Sequence, residues 1–173
     1  MLKNNTALIA EKESEYKTYI RNHVSNVQKV SAKYNNEICS RFPISDEIKE
    51  DIELNVELHD LSKYGANEFA QYRQKFYPIK DETPNDVIFQ TACDHHYKVN
   101  RHHPEHYLID KKSAKEMPMQ FIVEMVYDWE AMGLKFGGNA TEWYEKQSNK
   151  LILHPNTRRD LEKVLSILDE IRF

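Results

Sequence analysis

Glycine and proline are scarce in this 173-residue chain, at four and six. So few breakers, together with abundant Lys, Glu, Leu and Ile, disfavour a turn-rich β design and favour a mostly helical one. Cysteine is nearly absent. Cys39 and Cys93 lie far apart and form no C-x-x-C, which argues against a disulfide framework and fits a reducing compartment. Long apolar runs are also missing. The N-terminal run Ala7 to Ala10 is too short for a secretory core, and nothing approaches the roughly 20 apolar residues that span a bilayer. A cytoplasmic protein with no membrane partner is therefore expected. There is no basic excess: the net charge is −4. Nucleic acid is not expected as a principal partner. No glycine-rich phosphate loop is present, so ATP or NAD binding by such a loop is not supported.

What the chain does contain is helical periodicity. Its length and 40% hydrophobic content suit one domain spanning residues 1–173. Tyr16, Ile20, Val24, Val27 and Val30 recur at spacings of three and four, predicting a helix from about Thr6 to about Tyr34. After Pro43, Ser45 reads as an N-cap with Asp46 and Glu47 in the first turn. The second helix carries Ile48, Ile52 and Val56 inward and is expected to end near Ser62 to Gly65. A third helix is expected from about Asn67 to Phe76. A fourth should start at Thr83-Pro84 and run to about His96, with Val87, Ile88, Thr91 and Ala92 on one side. Tyr97 to Asp110 reads as a structured loop. Pro118 opens a fifth helix, with Phe121, Met125 and Met132 on its stripe, ending at Gly133, Gly137 and Gly138. Short helices follow at about 141–148 and 156–171. The expected architecture is an all-α bundle of five core helices plus short extra ones.

Eight histidines are present, five of them between His95 and His106. The His59-Asp60 pair sits at the end of the second helix. His23 falls on the stripe of the first helix, three after Ile20 and four before Val27. Asp128 falls on that of the fifth, three after Met125 and four before Met132. A buried ionised carboxylate is costly unless it is paired. A cation shared by His23, His59 and Asp128 would satisfy all three side chains. Imidazole and carboxylate together suit Fe, Mn, Zn, Co or Ni, with Mg a poorer fit. His96, His102 and His103 are further candidate ligands, with His95 an alternative to His96. Glu105, His106 and Glu124 are candidates to orient imidazoles by hydrogen bonding.

Each of these residues also has a plain structural reading. His-Asp is a common dipeptide, and His23 can be a core histidine bonded to a carbonyl. Asp128 faces solvent if the phasing is off by one. His102 and His103 can cap a polar loop, and Lys63 can be a solvated helix-end lysine. The aromatic residues are mostly core.

His23, then His59-Asp60, then Asp128 on separate helices resembles the HD-domain superfamily of metal-dependent phosphohydrolases. The run His59-Asp60-Leu61-Ser62-Lys63 resembles its His-Asp-x-x-Lys variant. The extra histidines resemble members with two metals, although the Gly-Tyr-Pro signature of the HD-GYP phosphodiesterases is absent. The stretch from Asn100 to Tyr107, followed by Tyr127-Asp128-Trp129, is most similar to a family of small HD-like proteins of bacteria and phages that brings no established activity. The resemblance implies an HD-like bundle in which His23, His59, Asp60 and Asp128 hold one or two divalent transition-metal ions. Asp60 would be the natural bridge. Asp60 and Lys63 would be catalytic, and Lys63, Arg73, Lys98 and Arg101 would contact a small-molecule phosphoester such as a nucleotide. Two other outcomes stay open on this scaffold: an HD-type di-iron oxygenase, and a catalytically silent nucleotide-binding or sequestering protein. A homodimer also stays open.

Overall fold

The computed structural model describes residues 2–172, with side chains from Asn5 onward. Among them are seven α-helices and no strand; the one extended pairing is an isolated bridge between Leu108 and Ala114. The all-α expectation holds. The helices are α1 (Leu2–Arg41), α2 (Asp46–Glu57), α3 (Phe69–Phe76), α4 (Asp86–Val99), α5 (Met119–Phe136), α6 (Ala140–Gln147) and α7 (Pro155–Arg172). Two 3-10 turns, Leu61–Tyr64 and Pro104–Tyr107, lie beside the histidine-rich segments.

The chain divides into two compact units. The first comprises residues 1–22 and 60–100, and the second residues 23–59 and 101–173. α1 therefore contributes its first half to one unit and its second half to the other.

In the first unit the core is aromatic. Tyr16 and Ile20 of α1 are fully buried, and the Tyr16 ring lies 5.2 Å from Phe69 and 5.8 Å from Tyr77. Asn85, not Thr83, caps α4: its Oδ1 accepts from the Val87 and Ile88 amides at 3.0 and 3.1 Å. The buried face of α4 is also rotated from the expected one. Val87 is 78% exposed, whereas Ala92, Cys93 and His96 point inward. The four-residue pattern at 87–92 fits two faces of a helix, and tertiary packing decides between them.

In the second unit α5 is the centre. Phe121 through Tyr127 are all buried, as for a helix enclosed on every side, and α5 packs on α2, α6 and α7. Val27, Val30, Tyr34 and Ile38 of α1 extend the same core, continuing the stripe beyond Tyr34. α1 runs seven residues further than the periodicity suggested because no breaker intervenes before Phe42-Pro43 and Ile38 is fully buried. α2 starts as expected, with Ser45 Oγ accepting from the Ile48 amide, but it stops at Glu57. The cause is Asp60, whose φ of 58° is left-handed and cannot continue an α-helix. α5 stops where Gly137 takes φ +84°, a conformation suited to glycine.

Candidate metal centre

The second unit holds three ligand-type side chains in one cluster. His23 comes from α1, His59 from the turn after α2, and Asp128 from α5. His23 and His59 are buried, and Asp128 exposes only 14% of its side chain. His23 Nε2 lies 3.0 Å from Asp128 Oδ1 and 3.3 Å from His59 Nε2, while His59 Nε2 lies 3.8 Å from Asp128 Oδ1.

These three distances form a triangle with a circumradius of about 2.0 Å, so one point lies about 2.1 Å from all three atoms, the bond length of Zn to imidazole nitrogen or carboxylate oxygen. The two shorter edges also match neighbouring ligands around such an ion, which stand about 3.0 Å apart in an octahedron and about 3.4 Å in a tetrahedron at that bond length, while the 3.8 Å edge is wider than either. The residues therefore fit a divalent transition metal, by donor chemistry as well as by spacing. Burial works to raise the Asp128 pKa, but hydrogen bonds and charge from His23 and His59 outweigh it and hold the carboxyl well below its usual range. Asp128 is thus an anion, as a ligand must be.

Glu124, one turn before Asp128 on α5, sits behind His59. Its Oε1 lies 2.9 Å from His59 Nδ1 and 3.0 Å from His102 Nδ1. All three residues are buried. Burial pushes the Glu124 carboxyl up, yet the two imidazoles bring it below the usual value. An ionised carboxylate has only acceptors, so both Nδ1 atoms carry a proton, and in the neutral form of each ring Nε2 is left with the lone pair. His103 is half-buried, with its ring 4.3 Å from that of His102.

The first unit carries a second cluster. Asp60 Oδ1 lies 3.3 Å from His96 Nε2, and Asp60 Oδ2 accepts from Lys63 Nζ at 2.5 Å. Behind His96 is Glu68, fully buried. Its carboxylate is 2.8 Å from both His96 Nδ1 and His95 Nδ1, and it accepts from Ser62 Oγ at 3.0 Å. The Asn100 amide stands 2.9 Å from the same His96 nitrogen. Glu68 can only accept, so the shorter contact assigns the Nδ1 proton to a bond with Glu68. Burial opposes ionisation of Glu68, but the bonds from His96, His95 and Ser62 lower its pKa overall. His96 is buried and His95 is one-third exposed, which separates the two neighbours that the sequence left as alternatives.

The residues expected to contact phosphate are placed differently from one another. Lys63 is held on Asp60. Arg73 is buried and committed to Glu82, with which it forms two hydrogen bonds. That pairing leaves Arg73 a structural cation. Lys98 is exposed on α4, and Arg101 is exposed with its guanidinium 4.2 Å from the centroid of the Phe121 ring. Glu68 and Ser62 were missed by sequence reasoning. A lone Glu ahead of a short helix looks like an ordinary first-turn acid, and no periodicity marks it.

The fold and the clusters define a class: an all-α protein with buried histidine–carboxylate clusters. The chain matches, over residues 12–167, the family described as "Family of unknown function (DUF5662)", and it belongs to that family. Comparison with curated proteins and with solved structures gave no match.

Proposed function

We propose that this protein is a metal-dependent phosphohydrolase of the HD type, acting on a nucleotide or a related small phosphoester. The observation that carries the reading is the His23–His59–Asp128 triangle, whose edges of 3.0, 3.3 and 3.8 Å suit one cation. The order of these residues in the chain, with Asp60 directly after His59, supports the same reading. His23, His59 and Asp128 would hold an Fe, Mn, Zn, Co or Ni ion, with Asp60 the next carboxylate along the chain. Such an ion, when bound, supplies Lewis acidity and brings the pKa of a coordinated water toward neutrality. Asp128, held ionised, would offset part of the charge of such an ion. Lys63 holds the Asp60 carboxylate and brings a positive charge that suits a phosphoryl oxygen.

The test is to purify the protein without chelator or affinity tag, measure its metals, and challenge the loaded protein with a broad nucleotide panel. Release of phosphate or nucleoside monophosphate that requires the metal is expected. A metal-loaded protein that cleaves no member of the panel ends the hydrolase reading.

A further inference from the structure

The Glu124 carboxylate is buried against two imidazoles, His59 and His102, with a single oxygen. A buried carboxylate is costly, and a chain keeps one where its hydrogen bonds are needed. We infer that Glu124 is a positioning residue that locks His59 and His102 together in the Nδ1–H form, so that both present Nε2 lone pairs as a matched pair of ligand nitrogens. The inference rests on the metal-binding reading for its purpose, but not for its geometry.

The geometry is specific. Both Nδ1 atoms converge on Oε1 at 2.9 and 3.0 Å, ordinary charge-assisted hydrogen-bond lengths. The two rings lie 4.4 Å apart, centroid to centroid, so turning either ring disturbs the other. Left to itself an imidazole exchanges its proton between the two nitrogens. A ring with its proton on Nε2 cannot ligate through that atom. One acceptor placed behind two rings removes this freedom from both. Carboxylates behind metal-bound imidazoles elsewhere raise ligand basicity in the same way, and their loss typically costs 10–100-fold in metal affinity.

The experiment reads imidazole 15N shifts of the full-length, metal-free protein, then titrates it with Zn2+ by calorimetry. In the wild type, His59 and His102 are expected to show protonated Nδ1 and lone-pair Nε2, and Nδ1 should stay protonated when Zn2+ binds. Glu124→Gln keeps one acceptor oxygen and should keep both tautomers with a modest loss of affinity. Glu124→Met fills similar space without an acceptor. It should release at least one ring to the Nε2–H form and weaken Zn2+ binding about 10–100-fold. Wild-type rings protonated on Nε2 would overturn the inference. So would Nδ1 protons lost on Zn2+ binding, which would make Glu124 a ligand, or a folded Glu124→Met protein with unchanged tautomers. If Glu124→Met does not fold, the wild-type and Glu124→Gln spectra still decide. A wild type that binds no Zn2+ yet shows both Nδ1 protons refutes the metal reading and leaves the positioning assignment standing.

Discussion

Replacing Asp128 with Asn should remove most of the thermal stabilisation by metal while leaving a folded protein. Asn has the same shape, and its Oδ1 can still accept from His23 Nε2, so the metal-free variant loses only charge-assisted bonds, about 1–2 kcal/mol. The metal-loaded protein behaves differently. Free Zn2+ at 1,000 times its dissociation constant stabilises a native state by about 4 kcal/mol, roughly 8–16 °C in melting temperature for a chain of this size. Asp128 supplies the only anionic corner of the triangle with His23 and His59. Its loss should weaken binding by more than the roughly 100-fold seen when an outer partner is removed. The same Zn2+ concentration then yields about 1.4 kcal/mol or less, roughly 3–6 °C. Scanning calorimetry with and without Zn2+, Mn2+ or Co2+ measures both shifts. Binding to histidines of the unfolded chain trims them but does not equalise the two proteins. A wild type that no transition metal stabilises refutes the triangle as an ion site. So does an Asp128→Asn variant that keeps the full shift, which would place the ion elsewhere.

The remaining predictions concern the frame around the clusters. Glu82→Gln leaves the buried Arg73 without its anion and should cost about 3–5 kcal/mol in denaturant unfolding at neutral pH. The bond from Arg73 lowers the Glu82 pKa, so its stabilisation is present above the unfolded carboxylate value and is lost as pH falls through the folded one. Below about pH 4.3 the stability of wild type should therefore fall more steeply than that of Glu82→Gln, and parallel acid limbs would contradict the pairing. Asn85→Ala should cost about 1 kcal/mol by removing the bonds to the Val87 and Ile88 amides, while Thr83→Ala should be nearly neutral. Equal losses in equilibrium unfolding would return the cap to Thr83.

His23 and Asp128 were legible from sequence because each lies at helical spacing within a long apolar stripe, where the period of 3.6 fixes the face. The start of α2 was legible for a similar reason, since Ser45 with two following acids is a strong local signal. The end of α2 was not. His59 continues the inward face by counting, and nothing in His-Asp-Leu-Ser announces that Asp60 adopts a left-handed backbone. The face of α4 was misread because Val87 and Ile88 look like core by composition, yet burial goes to Ala92, Cys93 and His96. Glu68 was invisible because its importance lies in partners 27 and 28 residues away. Glu124 was legible only as a candidate, being an acid inside an otherwise apolar stretch of α5.

The left-handed backbone at Asp60 changes how that position must be probed. Removal of the carboxylate by alanine is the usual first substitution, but alanine at φ 58° carries a penalty of roughly 1–2 kcal/mol of its own. Asp60→Ala thus combines two faults, a missing carboxylate and a strained turn, at one of the three places where the chain passes from one compact unit to the other. Asparagine tolerates the same conformation and separates the two. Activity lost in Asp60→Asn would speak to chemistry, whereas activity lost only in Asp60→Ala would speak to the shape of the turn. Glycine completes the series, since it accepts the backbone and offers no side chain.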